Sequence, residues 1–240
     1  MQLFYSEQLT EETENYTFPR EESKHIIKVL RKRQGDSIYI TNGKGFLFTS
    51  QIINDNPNKC TVAITEQEYH KPRSYNLHIA IAPTKLNDRF EWFLEKATEI
   101  GITEITPLLC DHSERKTIKW ERYNKILQSA LKQSLQYHLP ILNPLTSFKD
   151  FLEKADSSNT LKCIAHCEEG KKETINATFL DKNHITILIG PEGDFSSQEI
   201  KNAIAQEYQE ITLGTTRLRT ETAGLLACCS VAFFRIKSIL

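Results

Sequence analysis

The sequence predicts an α/β protein in which a domain built on a mostly parallel sheet follows a smaller β-rich unit. Three observations carry this. Beyond residue 71, apolar runs of strand length alternate with segments of helical periodicity, the pattern of layered parallel α/β domains. Residues 1–70 instead hold several strand-like runs around one helix, and the charged stretch YHKPRSY at Tyr69–Tyr75, broken by Pro72, marks the boundary. Finally, Ile185–Phe195 (ITILIGPEGDF) and Leu213–Ala227 (LGTTRLRTETAGLLA) each read as an apolar strand, a loop of glycine and small polar residues, and a helix start.

In the first unit Gln2–Tyr5 predicts a strand, and Glu21–Leu30 a helix with Ile26, Ile27 and Leu30 on one side. Gly35-Asp36 marks a turn. Ser37–Thr41, Phe46–Ile53 and Lys59–Thr65 follow as strands, the first two joined by the hairpin signal Asn42-Gly43. The run Asn42-Gly43-Lys44-Gly45 is not a phosphate loop, because it lacks the earlier glycine and the following Ser or Thr that such a loop needs.

In the second unit Leu77–Ala82 predicts a strand. Asp88–Ile100 predicts a helix, with Phe90, Phe93, Leu94, Ala97 and Ile100 at helical spacing and Gly101 as its stop. Ile105–Cys110 is the next strand, and Ile118–Leu139 a long helix ended by Pro140. Its stripe of Trp120, Tyr123, Ile126, Leu127, Ala130 and Leu131 reads as core rather than as a platform for stacking bases. Thr160–Ala165, His184–Ile189 and Glu210–Leu213 complete the sheet. Ser196 and Glu199 form a capping box after the first loop, and Thr220 is placed to cap the last helix. That helix is apolar nearly all round from Ala223 to Phe234, so it must be enclosed in a core or against a second subunit.

Composition narrows the function classes. The chain has 240 residues, 39% apolar and 25% charged, with a net charge of −1, so any nucleic-acid contact must come from a local patch. One stands out: Lys24–Arg33 (KHIIKVLRKR) holds five Lys or Arg and no acid. The polar, acidic N-terminus is not a signal peptide, and the longest apolar stretch, Ala223–Phe234, is well short of the ~20 residues a membrane helix needs. A cytosolic protein with reduced cysteines is therefore expected. Cys163, His166 and Cys167 lack the second ligand pair that a zinc site requires, and Cys228 and Cys229 read as small core residues. The absence of G-x-G-x-x-G after an early strand weakens dehydrogenase and Rossmann methyltransferase readings.

The paired loops GPEGDFS and LGTTRLRTETA resemble those of the SPOUT methyltransferases, in particular the small-subunit rRNA uridine-N3 methyltransferase family known as RsmE, whose signatures look like GPEGGFS and LGxRxLRTETA. Asp194 stands where that pattern has a glycine, and Thr216 precedes Arg217; both departures touch loop geometry. The resemblance spans nearly the whole chain. HIIKVLRKRQGD looks like the family's H-x-x-x-VLR…GD segment, KLNDRFEWFLEKATEIGI like its K…DR-x-EW…KATE-x-G segment, and Gln133-Ser134 echoes its Q-S pair, with Leu135 and Gln136 departing from the residues that often follow it.

The resemblance implies a PUA-like RNA-binding β-barrel over residues 1–70 and a SPOUT-type domain with a trefoil knot over residues 71–240, paired as a homodimer. It implies S-adenosylmethionine as cofactor, held largely by backbone groups at Leu188, Ile189, Gly190, Glu192, Gly193, Leu213, Gly214, Leu218, Arg219, Thr220 and Thr222. The substrate it implies is 16S rRNA or the small ribosomal subunit, with no membrane partner. Uridine N3 must lose its proton as the methyl group arrives, which charges the ring oxygens. Arg219, or alternatively Arg217, is expected to stabilise that charge, and Glu221 is a possible proton acceptor, although a carboxylate in a first helical turn more often serves the dipole. Lys24, His25, Lys28, Arg31 and Arg33, with Lys85 and Arg89 in the second unit, are the expected RNA contacts. Two other readings remain open: a ribosome-assembly protein that binds rRNA without catalysis, and a ribose 2′-O methyltransferase.

Overall fold

The computed structural model describes residues 1–154, 159–176 and 182–236. They form two compact units, one of residues 1–72 with 131–139 and one of residues 73–130 with 140–240.

In the first unit β1 (Leu3–Tyr5), β2 (Asn15–Thr17), β3 (Ser37–Thr41), β4 (Phe46–Asn54) and β5 (Thr61–Tyr69) form one sheet in the order β1-β3-β4-β5-β2. Only the β1–β3 pairing is parallel. Alternating inward residues, among them Ile38, Ile40, Phe48, Ile52 and Val62, build its core with Phe4, Phe18 and Ile26. The expected helix is present but changes form: α1 (Arg20–Lys24) continues as a π-type turn over His25–Val29. There Leu30 N–H donates to the His25 carbonyl at 2.9 Å and Lys32 N–H to the Ile26 carbonyl at 3.1 Å, while Ile26 and Ile27 both face the core. The strand expected to end at Thr65 runs on to Tyr69.

In the second unit β6 (Asn76–Ile81), β7 (Glu104–Leu109), β8 (Ile141–Leu142), β10 (Thr160–Ala165), β11 (Glu173–Thr174), β12 (His184–Ile189) and β13 (Gln209–Thr212) lie in the order β11-β13-β10-β12-β6-β7-β8, with β9 (Thr146–Ser147) also on β7. Every pairing is parallel, as expected. One face packs Ala80, Leu108, Ile164 and Leu188 against Phe148 of α4 (Phe148–Lys154) and Ile200 of α5 (Ser197–Ala205). The other receives α2 (Asn87–Ile100) and α6 (Thr220–Ile236). Gly224 makes that approach possible, since a Cβ there would meet the Ile81 side chain at 2.7 Å and Phe93 at 2.8 Å. Gly101 ends α2 at φ 104°, as its spacing predicts.

The third long helix departs from expectation. α3 spans Trp120–Gln133, stopping well short of Pro140 because Leu135 turns left-handed at φ 54°. Residues 137–139 then pair with the β3–β4 connection: Gly45 N–H donates to the Tyr137 carbonyl and Leu139 N–H to the Gly43 carbonyl, both at 2.8 Å. A proline marks where a helix cannot continue, but a competing backbone partner took the chain out of the helix earlier. Tyr123, Leu127, Ala130 and Leu131 of the aromatic stripe are buried, as expected of core, and Trp120 is exposed, its indole N–H donating to the Leu142 carbonyl at 3.2 Å. No helix among the described residues is long and apolar enough to cross a membrane.

Candidate active site

The carboxyl ends of β10, β12 and β13 open on the same edge of the parallel sheet, where open α/β sheets carry their ligands. The loops that leave them enclose a cavity of about 690 Å³, within the ~300–1,000 Å³ typical of small-molecule sites.

The loop after β12 is held at almost every residue. A Cβ on Gly190 would sit 3.1 Å from the Phe195 ring and backbone nitrogen, so only glycine lets the chain fold back this closely. Glu192 Oε1 accepts from Lys85 N–H at 2.8 Å. Asp194, where the resembled pattern has glycine, adopts φ 64° and uses both carboxylate oxygens: Oδ1 accepts from its neighbour Phe195 N–H at 2.8 Å and Oδ2 from Cys167 N–H at 2.7 Å. Aspartate tolerates the left-handed region because its short acceptor can bond locally in this way. The Ser196–Glu199 capping box is present as predicted, and Glu199 Oε1 further accepts from Asp111 N–H at 2.9 Å.

The loop after β13 is far more open. Gly214 has φ 131° and nothing within 4 Å of where a Cβ would stand. Thr215, Thr216, Arg217 and Arg219 are exposed and line the cavity. Arg217 donates to the Glu192 carbonyl at 3.3 Å, tying one loop to the other. Among the described residues the Arg219 guanidinium has no acid or carbonyl partner. Thr220 begins α6, and its hydroxyl donates to the Gly190 carbonyl at 3.1 Å instead of capping the helix as predicted.

Ile189, Gly190, Glu192, Leu213, Gly214, Arg217, Leu218, Arg219 and Thr220 thus come together around one cavity. Four other predicted residues are not among its lining. Leu188 is fully buried in the sheet core, because the strand's alternation turns it to the α4–α5 face. Gly193 packs on His112, whose Cβ would lie 3.1 Å from an added Cβ, so this glycine serves loop packing. Thr222 is exposed one helical step away from the cavity. Glu221 is buried, with Oε1 at 3.8 Å from Arg89 Nε and Oε2 unpartnered among the described residues, a placement that suits helix and ion-pair electrostatics better than proton transfer in the cavity.

The RNA-contact expectations divide in the same manner. Lys24, Lys28, Arg31 and Arg33 are exposed, and none of their side chains is ion-paired with an acid among the described residues, although the Asp36 carboxylate accepts from the Arg33 backbone N–H at 2.8 Å; His25 is half-buried and its Nε2 lies 3.3 Å from the Gln2 amide. Lys85 and Arg89 are not unpaired. Lys85 bonds Glu114 at 2.7 Å, which raises its pKa, and Arg89 faces Glu221.

The segment after β10 supplies a third wall that the two motifs did not signal: His166, Cys167 and Lys172 line the cavity. His166 Nε2–H donates to Glu210 Oε1 at 2.9 Å, and the Lys172 ammonium donates to the His166 carbonyl at 2.6 Å. Burial first, and then the Asp194 carboxylate, pushes the Cys167 thiol up, so it stays protonated at neutral pH. Cys163 lies in the core, where burial pushes its thiol to about 12. Among the described residues no three His, Cys, Asp or Glu side chains gather as metal ligands.

A parallel sheet with a glycine-loop cavity at its strand ends, following a curled β-rich unit, is the architecture of two-domain RNA methyltransferases, and sequence profiles agree. The RNA methyltransferase domain profile matches residues 71–232, and the RNA methyltransferase PUA domain profile matches residues 18–65. The chain belongs to the family of ribosomal RNA small subunit methyltransferase E: the protein of that name from Rickettsia conorii is 31% identical over 211 residues, covering 86% of this chain and 85% of its own. A crystal structure of a probable rRNA-methyltransferase from Porphyromonas gingivalis is 35% identical, with a TM-score of 0.88 over 99% of this chain and 100% of that one. Ribosomal RNA small subunit methyltransferase E from Neisseria gonorrhoeae, bound to S-adenosyl methionine, is 25% identical, with a TM-score of 0.85 over 97% of both chains.

Proposed function

We propose that this chain is an S-adenosylmethionine-dependent methyltransferase that modifies N3 of a uridine in 16S rRNA, acting in the cytoplasm as a homodimer. The cavity between the two loops carries the reading. Its contents fit the cofactor: Ile189, Leu213 and Leu218 offer apolar surface for a purine, while the loop at Gly214 leaves open the space a Cβ would take. Glu192, whose Oε2 is buried without a partner among the described residues, stands on the cavity wall and suits a cationic ligand. Bound there, S-adenosylmethionine would supply an electrophilic methyl group.

The protein's own part is to position and stabilise charge. Loss of the N3 proton spreads negative charge over the uracil oxygens, and the Arg219 guanidinium, which lines the cavity without an acid or carbonyl partner among the described residues, is free to take that charge. Arg217, already bonded to the Glu192 carbonyl, orients the second loop against the first. We assign residues 1–70 to RNA grip and residues 71–240 to catalysis, with the last helix threaded through the preceding loop as in a trefoil knot. Support for pairing of two copies comes from α6, where Leu226 and Phe233, 37% and 55% exposed, leave apolar surface on a helix that otherwise buries Ala227, Cys228, Val231 and Ala232.

The test combines calorimetric titration with S-adenosylmethionine and mass-spectrometric mapping of 16S rRNA from cells lacking the protein, with and without re-supply. Saturable binding and a 3-methyluridine that returns on re-supply are expected. Absence of cofactor binding would point to a non-catalytic assembly protein, and a missing ribose methyl group would point to the sugar as target; either overturns the proposal.

A further inference from the structure

A second, smaller cavity lies wholly within the first unit, and its surroundings give it a purpose. It measures about 140 Å³ and is lined by Gln2, Phe4, Leu30, Lys32, Ile38 and Tyr39, among others. At ~30 Å³ per water molecule this is the space of four to five waters, room for one ring system and little more. The wall is amphipathic: Phe4, Leu30 and Ile38 are apolar, the Tyr39 ring is half-buried, and Gln2 and Lys32 bring an amide and an ammonium.

Two unusual backbone features abut it. The π-type turn over His25–Val29 runs directly into Leu30, and Arg31, between the lining residues Leu30 and Lys32, is held left-handed at φ 57°. Isolated π turns and non-glycine residues at positive φ are both costly, and both concentrate where function requires them. Their effect here is to present a cluster. Lys24, Lys28, Arg31 and Arg33 stand exposed with no side-chain ion pair among the described residues, the Asp36 carboxylate accepting only from the Arg33 backbone N–H, and between them in sequence Val29 is 66% exposed, a large apolar side chain that core packing does not explain. Cations alone suit a phosphate backbone; an apolar slot with a ring, an amide and the Lys32 ammonium in its wall, flanked in sequence by Arg31 and Arg33, suits a nucleotide whose base is unstacked.

We propose that this pocket takes one unstacked nucleobase from a single-stranded segment of the RNA, with the surrounding cations on its flanking phosphates. The unit then reads RNA for the presence of an extruded base as well as gripping its charge. This rests on the proposed role of the unit in RNA binding and adds a base-dependent component to it.

The experiment measures binding of the full chain to a mixed-sequence RNA decamer, and to the same decamer with every base removed, by fluorescence anisotropy across a salt series. Three proteins are compared: the natural chain, Ser37→Trp, which fills the pocket from its exposed lining residue, and the double variant Lys28→Ala/Arg31→Ala. The natural chain should prefer the intact decamer by about tenfold, in keeping with the usual contribution of one stacked base. Ser37→Trp should lose that preference and keep its salt slope, whereas the double variant should keep the preference and lose about 0.7 of slope for each phosphate contact removed. No preference in the natural chain, or one that survives Ser37→Trp, overturns the pocket. If the double variant also binds as the natural chain does, the RNA-grip reading of the unit falls separately. Should Ser37→Trp unfold, crosslinking of 4-thiouridine RNA to the natural chain decides: adducts on peptides holding Gln2, Lys32 or Tyr39 support the pocket, and adducts confined to residues 73–240 contradict it.

Discussion

The two loops that face the main cavity start from the same plan, strand, glycine, small residues, helix, yet they are built to opposite ends. The loop of residues 190–195 spends most of its polar groups on the protein itself: Glu192 Oε1 on Lys85, Asp194 on Cys167 and Phe195, and the Gly190 carbonyl on the Thr220 hydroxyl, leaving Glu192 Oε2 buried without a partner among the described residues. The loop of residues 213–219 is tied down at fewer points: Gly214 bonds the Thr212 hydroxyl through its carbonyl and N–H, Arg217 bonds the Glu192 carbonyl, and the Arg219 guanidinium is unpartnered among the described residues. One wall is prepared in advance, while the other supplies the groups that act on what is bound. Preorganised polar groups cost nothing to arrange at the moment of reaction, and an open facing loop lets substrate in.

The largest expected effect belongs to the open loop. Arg219→Ala should lower the methylation rate at saturating cofactor and RNA by about 10²–10³-fold, the usual loss for one charge-stabilising donor, with cofactor affinity within about threefold of the natural chain. An unchanged rate in single-turnover assays breaks the division of labour between the loops.

Glycine substitutions sharpen the contrast. Gly190→Ala places a methyl 3.1 Å from both the Phe195 ring and its backbone nitrogen, an overpacking expected to cost about 1–3 kcal/mol in denaturant unfolding. Gly214→Ala meets no atom, but φ 131° is strained for any side chain, so a similar cost of ~1–3 kcal/mol is expected. The two should part in cofactor binding: only the Gly214 variant intrudes on the open cavity, and a titration should show it weakened more at matched stability.

Asp194 offers a smaller test of the prepared wall. Asp194→Ala forfeits two accepted hydrogen bonds at a half-exposed site and keeps the strained φ of 64°, for an expected loss of about 1–2 kcal/mol. Asp194→Gly loses the same bonds but relieves the strain, so it should unfold at higher denaturant than the alanine variant. The reverse order would mean that the left-handed turn is not what aspartate supports.

The smallest effect lies away from both loops. His78 bonds the Thr106 hydroxyl at 2.7 Å, and burial holds its pKa below the ordinary histidine value against the upward pull of Glu104. The folded state therefore keeps it neutral while the unfolded chain takes up a proton below pH ~6.5. Its contribution is present above that pH and is lost as pH falls toward the folded value. Melting temperatures at pH 7.5 and 5.5 should fall less in His78→Asn than in the natural chain.

Strands and the paired loops were legible in the sequence because their causes are local: alternation, glycine next to an apolar run, a serine three residues before a glutamate. What escaped depends on neighbours distant in the chain. The early end of α3 follows from residues 137–139 finding backbone partners at residues 43–45. The third wall at His166 and Lys172 is placed by β10 lying between β12 and β13, an order no local pattern states. Glu221 looked available for catalysis because its burial against Arg89 joins two helices far apart in sequence. Leu188 illustrates the limit of motif reasoning within a strand, where one residue's step reverses the face.

Hydrogen exchange of the full chain with and without S-adenosylmethionine tests the central claim most directly. Amides of residues 211–219 should be strongly protected on binding, and those of Asp194 and Phe195, already bonded to the Pro191 carbonyl and the Asp194 carboxylate, should change less. Saturable binding that leaves residues 211–219 exchanging as in the free protein would contradict the account.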